Sequence, residues 1–248
     1  MPELTFLPIR DSKMQGTPEF AQSLNYGSAP SLRHIVLYSG ETKTTWERTI
    51  VDFVVSALAE ATIIAAKLVR EISSLASGAG PTAKLSRCTK AGDWVESQVS
   101  WLRYKSGADW TDEGGDFDDT GPPAALTYNE PTVAGEHEIG GLLPFVEDAS
   151  ESQGGVVSLI TRLADETPDV DTGATWFAKD HPQSWQLVVE YAPPDPGRRT
   201  TATRTPVGIT PARPARRPYA PAGPAGRPSP MRPPVAPVRP HPTRRRRT

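Results

Sequence analysis

The chain has 248 residues and a formal net charge of −2, a cancellation between residues 193–248, with 13 Arg, one acid and 16 of the 27 Pro, and residues 1–192, which carry −14. No apolar run approaches the ~18 residues of a membrane span, the start Met1-Pro2-Glu3-Leu4-Thr5 lacks the basic and apolar regions of a signal peptide, and the single Cys88 excludes an intrachain disulfide framework. All six Trp precede residue 186, so the hydrophobic core belongs to an acidic body, 1–192, and not to the basic arm, 193–248.

In chain order, the body reads as short strands. Thr5–Ile9 is an apolar opener and Ile35–Tyr38 a compact strand. Thr49–Val55 is β-branched and aromatic, which suits a half-buried pleated surface. In Ala61–Ile72 the even positions Ile64, Ala66, Leu68 and Ile72 are apolar, interrupted by Arg70, a period of two that predicts a strand despite the alanines. Lys84–Cys88 and Gln98–Tyr104 follow as strands. The segment from Pro122 to Ser152 is poorly patterned and reads as loops around one strand, Leu142–Val146. Val156–Leu163 is a strand or a short helix, and Trp185–Tyr191 alternates as a closing strand. Turn signals such as Gly78-Ala79-Gly80-Pro81, Gly114-Gly115-Asp116 and Thr120-Gly121-Pro122-Pro123 separate these segments. Many short strands without βα alternation predict an all-β fold, a jelly-roll β-sandwich. The arm has no apolar periodicity, and runs such as P-A-R-P-A-R-R-P favour an extended polyproline II chain that builds no core of its own.

The order of short motifs resembles the DNRLRE family of non-catalytic β-sandwich domains. Pro8–Ser12 (P-I-R-D-S) is similar to its opening strand, Ser23–Ser28 (S-L-N-Y-G-S) to its Asn-Tyr-Gly turn, and Trp46–Phe53 (W-E-R-T-I-V-D-F) to its Arg-containing strand. Ala61–Leu68, Asp93–Trp101 (D-W-V-E-S-Q-V-S-W), Asp109–Phe117 (D-W-T-D-E-G-G-D-F) and Trp176–Tyr191 complete the series, which runs from about Phe6 to Tyr191. In two places the chain departs from the pattern: Ser100 replaces a Thr, and Pro182 is displaced from the last strand by Trp185. The resemblance implies a sandwich domain of the kind found in bacterial surface proteins and phage structural proteins, some of them carbohydrate-binding. It also implies that Glu96 hydrogen-bonds within the fold and is not catalytic.

Motifs for nucleophilic catalysis, phosphate cradling and Cys/His metal binding are absent from the sequence. The four His are scattered, and Cys88 reads as a buried structural thiol. The acidic stretch 109–119 offers oxygen ligands for Ca²⁺ through Asp112, Asp116 and Asp118, although it lacks EF-hand spacing; a solvated acidic turn is the alternative. Among the aromatics, Tyr104 and Trp110 flank a Gly-rich polar turn and, with Tyr128, make a candidate exposed face for stacking on sugar rings, while Trp101 reads as core. In the arm, Arg198, Arg199, Arg213, Arg216 and Arg217 are candidate contacts, as is the terminal run Arg244, Arg245, Arg246 and Arg247. Their charge suits acidic surface on neighbouring copies of this chain, or phosphates of nucleic acid. The expectation is a non-enzymatic virion structural protein, a phage tail, fibre or capsid-decoration subunit, with other virion subunits as partners and the arm docked on its neighbours. A carbohydrate-binding module attaching a virion or cell to a surface glycan, and a shell protein whose tail binds nucleic acid, are the alternatives.

Overall fold

Fourteen strands, one α-helix and two short 3-10 turns make up the regular structure of the described residues, which are 1–16, 21–39, 42–76, 80–166 and 171–194 of the computed structural model. The strands are β1 (Glu3–Phe6), β2 (Arg10–Gly16), β3 (Ser31–Ser39), β4 (Thr42–Val54), β5 (Thr62–Leu75), β6 (Thr82–Cys88) and β7 (Arg103–Lys105). They continue as β8 (Ala108–Asp109), β9 (Phe117–Asp118), β10 (Leu126–Asn129), β11 (Gly135–Ile139), β12 (Val156–Leu163), β13 (Thr172–Phe177) and β14 (Gln186–Ala192), with the helix α1 (Leu143–Ser152) before β12. Twelve of these strands form one antiparallel sheet, and β7 and β8 pair separately. The fold is all-β and sandwich-like.

The two longest strands make the sandwich by changing partners along their length. On one edge, β4 pairs with β3 through its first half and with β12 through its second, while β2 covers residues 46–52 from the other edge. β5 pairs with β14 over residues 62–69 and with β13 further on, and β11 takes its opposite edge at 68–72. One layer is therefore β1-β14-β5-β11 and a second is β2-β4-β12-β6, with β13 and β3 carrying the sheet from one to the other.

The main core lies between these layers. It packs Ala66, Leu68 and Ile72 of β5 and Leu187 and Val189 of β14 against Val51 and Phe53 of β4 and Val157 and Leu159 of β12, with Trp176 and Trp185 also buried. The even-numbered face predicted for β5 is the buried one, Arg70 included. The second layer is buried on both sides. Its outer face, through Met14, Ile50, Cys88 and Ile160, packs against Trp94, Val99, Trp101 and Trp110 from residues 89–117. This explains why β12 shows no alternation: every residue from Val157 to Leu163 is buried, and the segment is a strand, not a helix.

Two predicted strands are corrected. Leu142–Val146 leads into α1 and is not a strand. Leu142, Phe145, Val146 and Ala149 are buried at the i, i+3, i+4, i+7 spacing of a helix face, and Pro144 sits in the first turn, where its missing N–H costs nothing. Gln98–Tyr104 keeps strand geometry only from Arg103 onward. Upstream, the chain turns (Val99 N–H donates to Val95 O at 2.8 Å) so that Trp94, Val99 and Trp101 all reach the outer face of the second layer.

Candidate functional site

The three aromatics expected to stack on sugars do not make one exposed face. Trp110 is 6% exposed, a correction to the exposure expected of it. Its indole Nε1–H donates to Ser100 O at 2.9 Å, and its ring packs in the Trp-rich cluster beneath Tyr104, at a centroid distance of 5.3 Å. Tyr104 is half-buried between the ammonium groups of Lys90 and Lys105. Tyr128 stands elsewhere, on β10, with its hydroxyl 2.9 Å from Thr161 Oγ1, and burial pushes its phenol up. A Gly-rich turn in the sequence signals a bend but does not tell which way the neighbouring ring points.

In the acidic loop, Asp116 and Asp118 spend their carboxylates on protein donors. Asp116, 7% exposed, accepts from Thr111 Oγ1 and from the Asp112 N–H, both at 2.9 Å, with Lys90 Nζ 3.6 Å away. Asp118 accepts the N–H groups of Gly121 and Thr120 and the Arg87 guanidinium, and these hold its carboxyl down at about 2. Asp112 is exposed. Among the described residues, no group of three His, Cys, Asp or Glu side chains is placed to hold a metal ion. The arm residues Arg198, Arg199, Arg213, Arg216, Arg217, Arg244, Arg245, Arg246 and Arg247, expected to make contacts, lie outside the described residues.

Two buried charge clusters go beyond the sequence reading, which anticipated of their members only that Glu96 hydrogen-bonds within the fold. In the main core, Glu130 lies 2.5 Å from Arg70 Nη2 and 2.8 Å from His34 Nε2, all three side chains being fully buried. Burial opposes ionisation of Glu130, yet His34 and Arg70 beside it hold its carboxyl down at about 2. His34 Nδ1 is 2.9 Å from Thr161 Oγ1, and the Arg70 guanidinium lies 5.0 Å from the Trp176 ring and 5.2 Å from that of Tyr128.

The second cluster gathers residues from separate motifs around β2, part of it on the outer face of the second layer. Asp52 of β4 accepts from Arg10 Nε at 2.8 Å and from Trp94 Nε1 at 2.9 Å, and also from the Ser158 hydroxyl. On the other face of β2, where register sets Asp11 opposite Val51 and Arg10 opposite Asp52, Asp11 accepts the Lys179 N–H at 2.5 Å, while its own N–H donates to Glu96 Oε1 at 3.0 Å. Burial, with Glu96 adjacent, pushes the Asp11 carboxyl up to about 7. Asn25 Nδ2 donates to Glu96 O at 2.6 Å and Val99 O at 2.7 Å. A Cβ on Gly27 would collide with the Glu96 carbonyl, so the Asn-Tyr-Gly turn needs its glycine for close approach. Arg10, Asp11, Asp52, Trp94, Glu96 and Lys179 thus fasten loops to the sheet.

The open surface with the most distinctive chemistry is the outer face of the first layer. Register places Glu3 beside Glu190, and Glu71 beside Glu136. Glu138 of β11 pairs with Lys67 of β5 at 2.6 Å. At the Glu3–Glu190 end lies a shallow groove of about 330 Å³ lined by Glu3, Ala65, Lys67, Gly140, Val188 and Glu190, among others. No protein-family model matches the chain, and no curated protein matches it.

Proposed function

We propose that this chain is a non-enzymatic structural protein of a virion, of the phage tail, fibre or capsid-decoration kind, whose β-sandwich body is displayed on the particle and whose basic arm docks on neighbouring subunits. The observation that carries this reading is the division of charge: 28 acids against 14 bases in residues 1–192, and 13 Arg against one acid in residues 193–248. Opposite charges on one chain favour association between copies, because each arm meets on its neighbour a surface of opposite potential. The pairing of Asp11, Asp52, Glu96 and Glu130 with donors of the same chain supports a role in which buried charge fastens the body together. The virion assignment rests on the resemblance to the DNRLRE family.

Sedimentation velocity of the full chain tests this. At low salt it should associate, and the association should dissolve at about 1 M NaCl, where the Debye length falls to about 3 Å. A chain that stays monomeric at low salt overturns the reading, and association that requires added nucleic acid favours the shell alternative instead.

A further inference from the structure

Resting on the assembly reading above, we infer that the docking surface for the arm is the outer face of the β1-β14-β5-β11 layer, and that its occupant is the Pro/Arg-rich segment 195–248 of a neighbouring copy. Strand alternation and register put Glu3 and Thr5, Val188 and Glu190, Ala65, Lys67, Val69 and Glu71, and Glu136 and Glu138 on this one face. That is five carboxylates against one ammonium, and the ammonium, Lys67, is already engaged by Glu138.

The acids are not spread evenly. Glu3 and Glu190 form one cross-strand pair and Glu71 and Glu136 another, like charges placed directly opposite. Such pairs destabilise a sheet that nothing covers, and a cation seated over them relieves the repulsion. Between them lie Val188 and Val69, half-buried, with Lys67 and Gln186 opposite them, and the groove beside Ala65 and Gly140 adjoins the Glu3–Glu190 pair. Carboxylates flanking an apolar strip match a segment in which Arg and Pro alternate, as in Pro211–Pro218 (P-A-R-P-A-R-R-P). Guanidinium groups take carboxylates in bidentate geometry, and a proline-rich chain gives up little conformational freedom when it lies down.

The point of departure agrees. β14 belongs to this layer, it ends at Ala192, and the described chain ends two residues later, at Pro194. The arm therefore leaves from the rim of the sheet that carries the acids, which suits an exchange of arms between adjacent copies.

The test compares full-length proteins by sedimentation velocity at low salt, after circular dichroism has shown equal folding. The face variant is Glu3→Gln/Glu136→Gln/Glu190→Gln. The loop variant, Asp109→Asn/Asp112→Asn/Glu113→Gln, removes the same charge from exposed acids elsewhere. The arm variant is Arg213→Gln/Arg216→Gln/Arg217→Gln. Face and arm variants should each weaken association about ten-fold or more, and the loop variant no more than about two-fold. Equal weakening by face and loop variants, or an unchanged face variant beside a weakened arm variant, overturns this surface and leaves the assembly reading standing. A weakened face variant with an unchanged arm variant overturns the arm as occupant. A wild-type chain that does not associate removes the assembly reading itself.

Discussion

Asp11 and Lys179 lie 168 residues apart, and the carboxylate of one accepts the backbone N–H of the other at 2.5 Å. This bond ties β2 to the loop between β13 and β14 from a site where burial pushes the carboxyl from 3.8 to about 7. The folded state keeps the proton up to about pH 7, whereas the unfolded chain releases it near 3.8. The stability from this group is therefore fully present below about pH 4 and is lost as pH rises toward 7, a change on the order of 4 kcal/mol. Urea denaturation at pH 5 and pH 8 should show wild type losing more stability on going to pH 8 than Asp11→Asn does. Parallel curves for the two proteins would show that the carboxyl ionises in the fold as freely as outside it.

Arg70 and Glu130 form a buried pair, so removing one partner leaves an uncompensated charge. Arg70→Met or Glu130→Gln alone should cost about 3–5 kcal/mol in chemical denaturation, and the double variant clearly less than the sum. Additive losses would mean that the two side chains do not sense each other. Nε and Nη1 of Arg70 and the indole N–H groups of Trp176 and Trp185 are buried without a hydrogen-bond partner among the described residues. A high-resolution crystal structure should show ordered water against them.

Trp110 is a packing residue by its surroundings. Trp110→Ala should lower stability by about 3–5 kcal/mol, measured by urea denaturation. A fully stable Trp110→Ala protein would return the ring to the surface.

Cys88 is fully buried beside Trp94 and Ile160, and burial pushes its thiol up to about 12. The folded protein should react with a thiol reagent at neutral pH only as fast as it opens, and should become reactive at once in denaturant. Rapid labelling without denaturant would contradict the packing.

The alternation of apolar residues makes β5 and β14 legible in the sequence, because each buries one face and leaves the other open. β2 is not legible. Its residues R-D-S-K-M-Q-G look like a polar loop, yet Asp11, Ser12, Lys13 and Met14 are buried, because their charges meet partners from distant segments: Lys179 for Asp11 and Glu47 for Lys13. Periodicity reports burial only where burial is apolar. The two ion clusters escape a sequence reading for the same reason, since His34, Arg70 and Glu130 become neighbours only after β3, β5 and the end of β10 are brought together. The apolar residues at the start of α1 span five positions, too few to separate a period of two from one of 3.6.

β14 has a neighbour on each edge, β1 over four residues and β5 along its whole length. The chain beyond Ala192 continues directly from it. If that chain is held by another molecule, tension enters the body along the axis of a strand hydrogen-bonded on both sides. The load then falls on both ladders together, in shear, and does not peel them open one bond at a time. A strand so anchored resists pull better than one at a free edge.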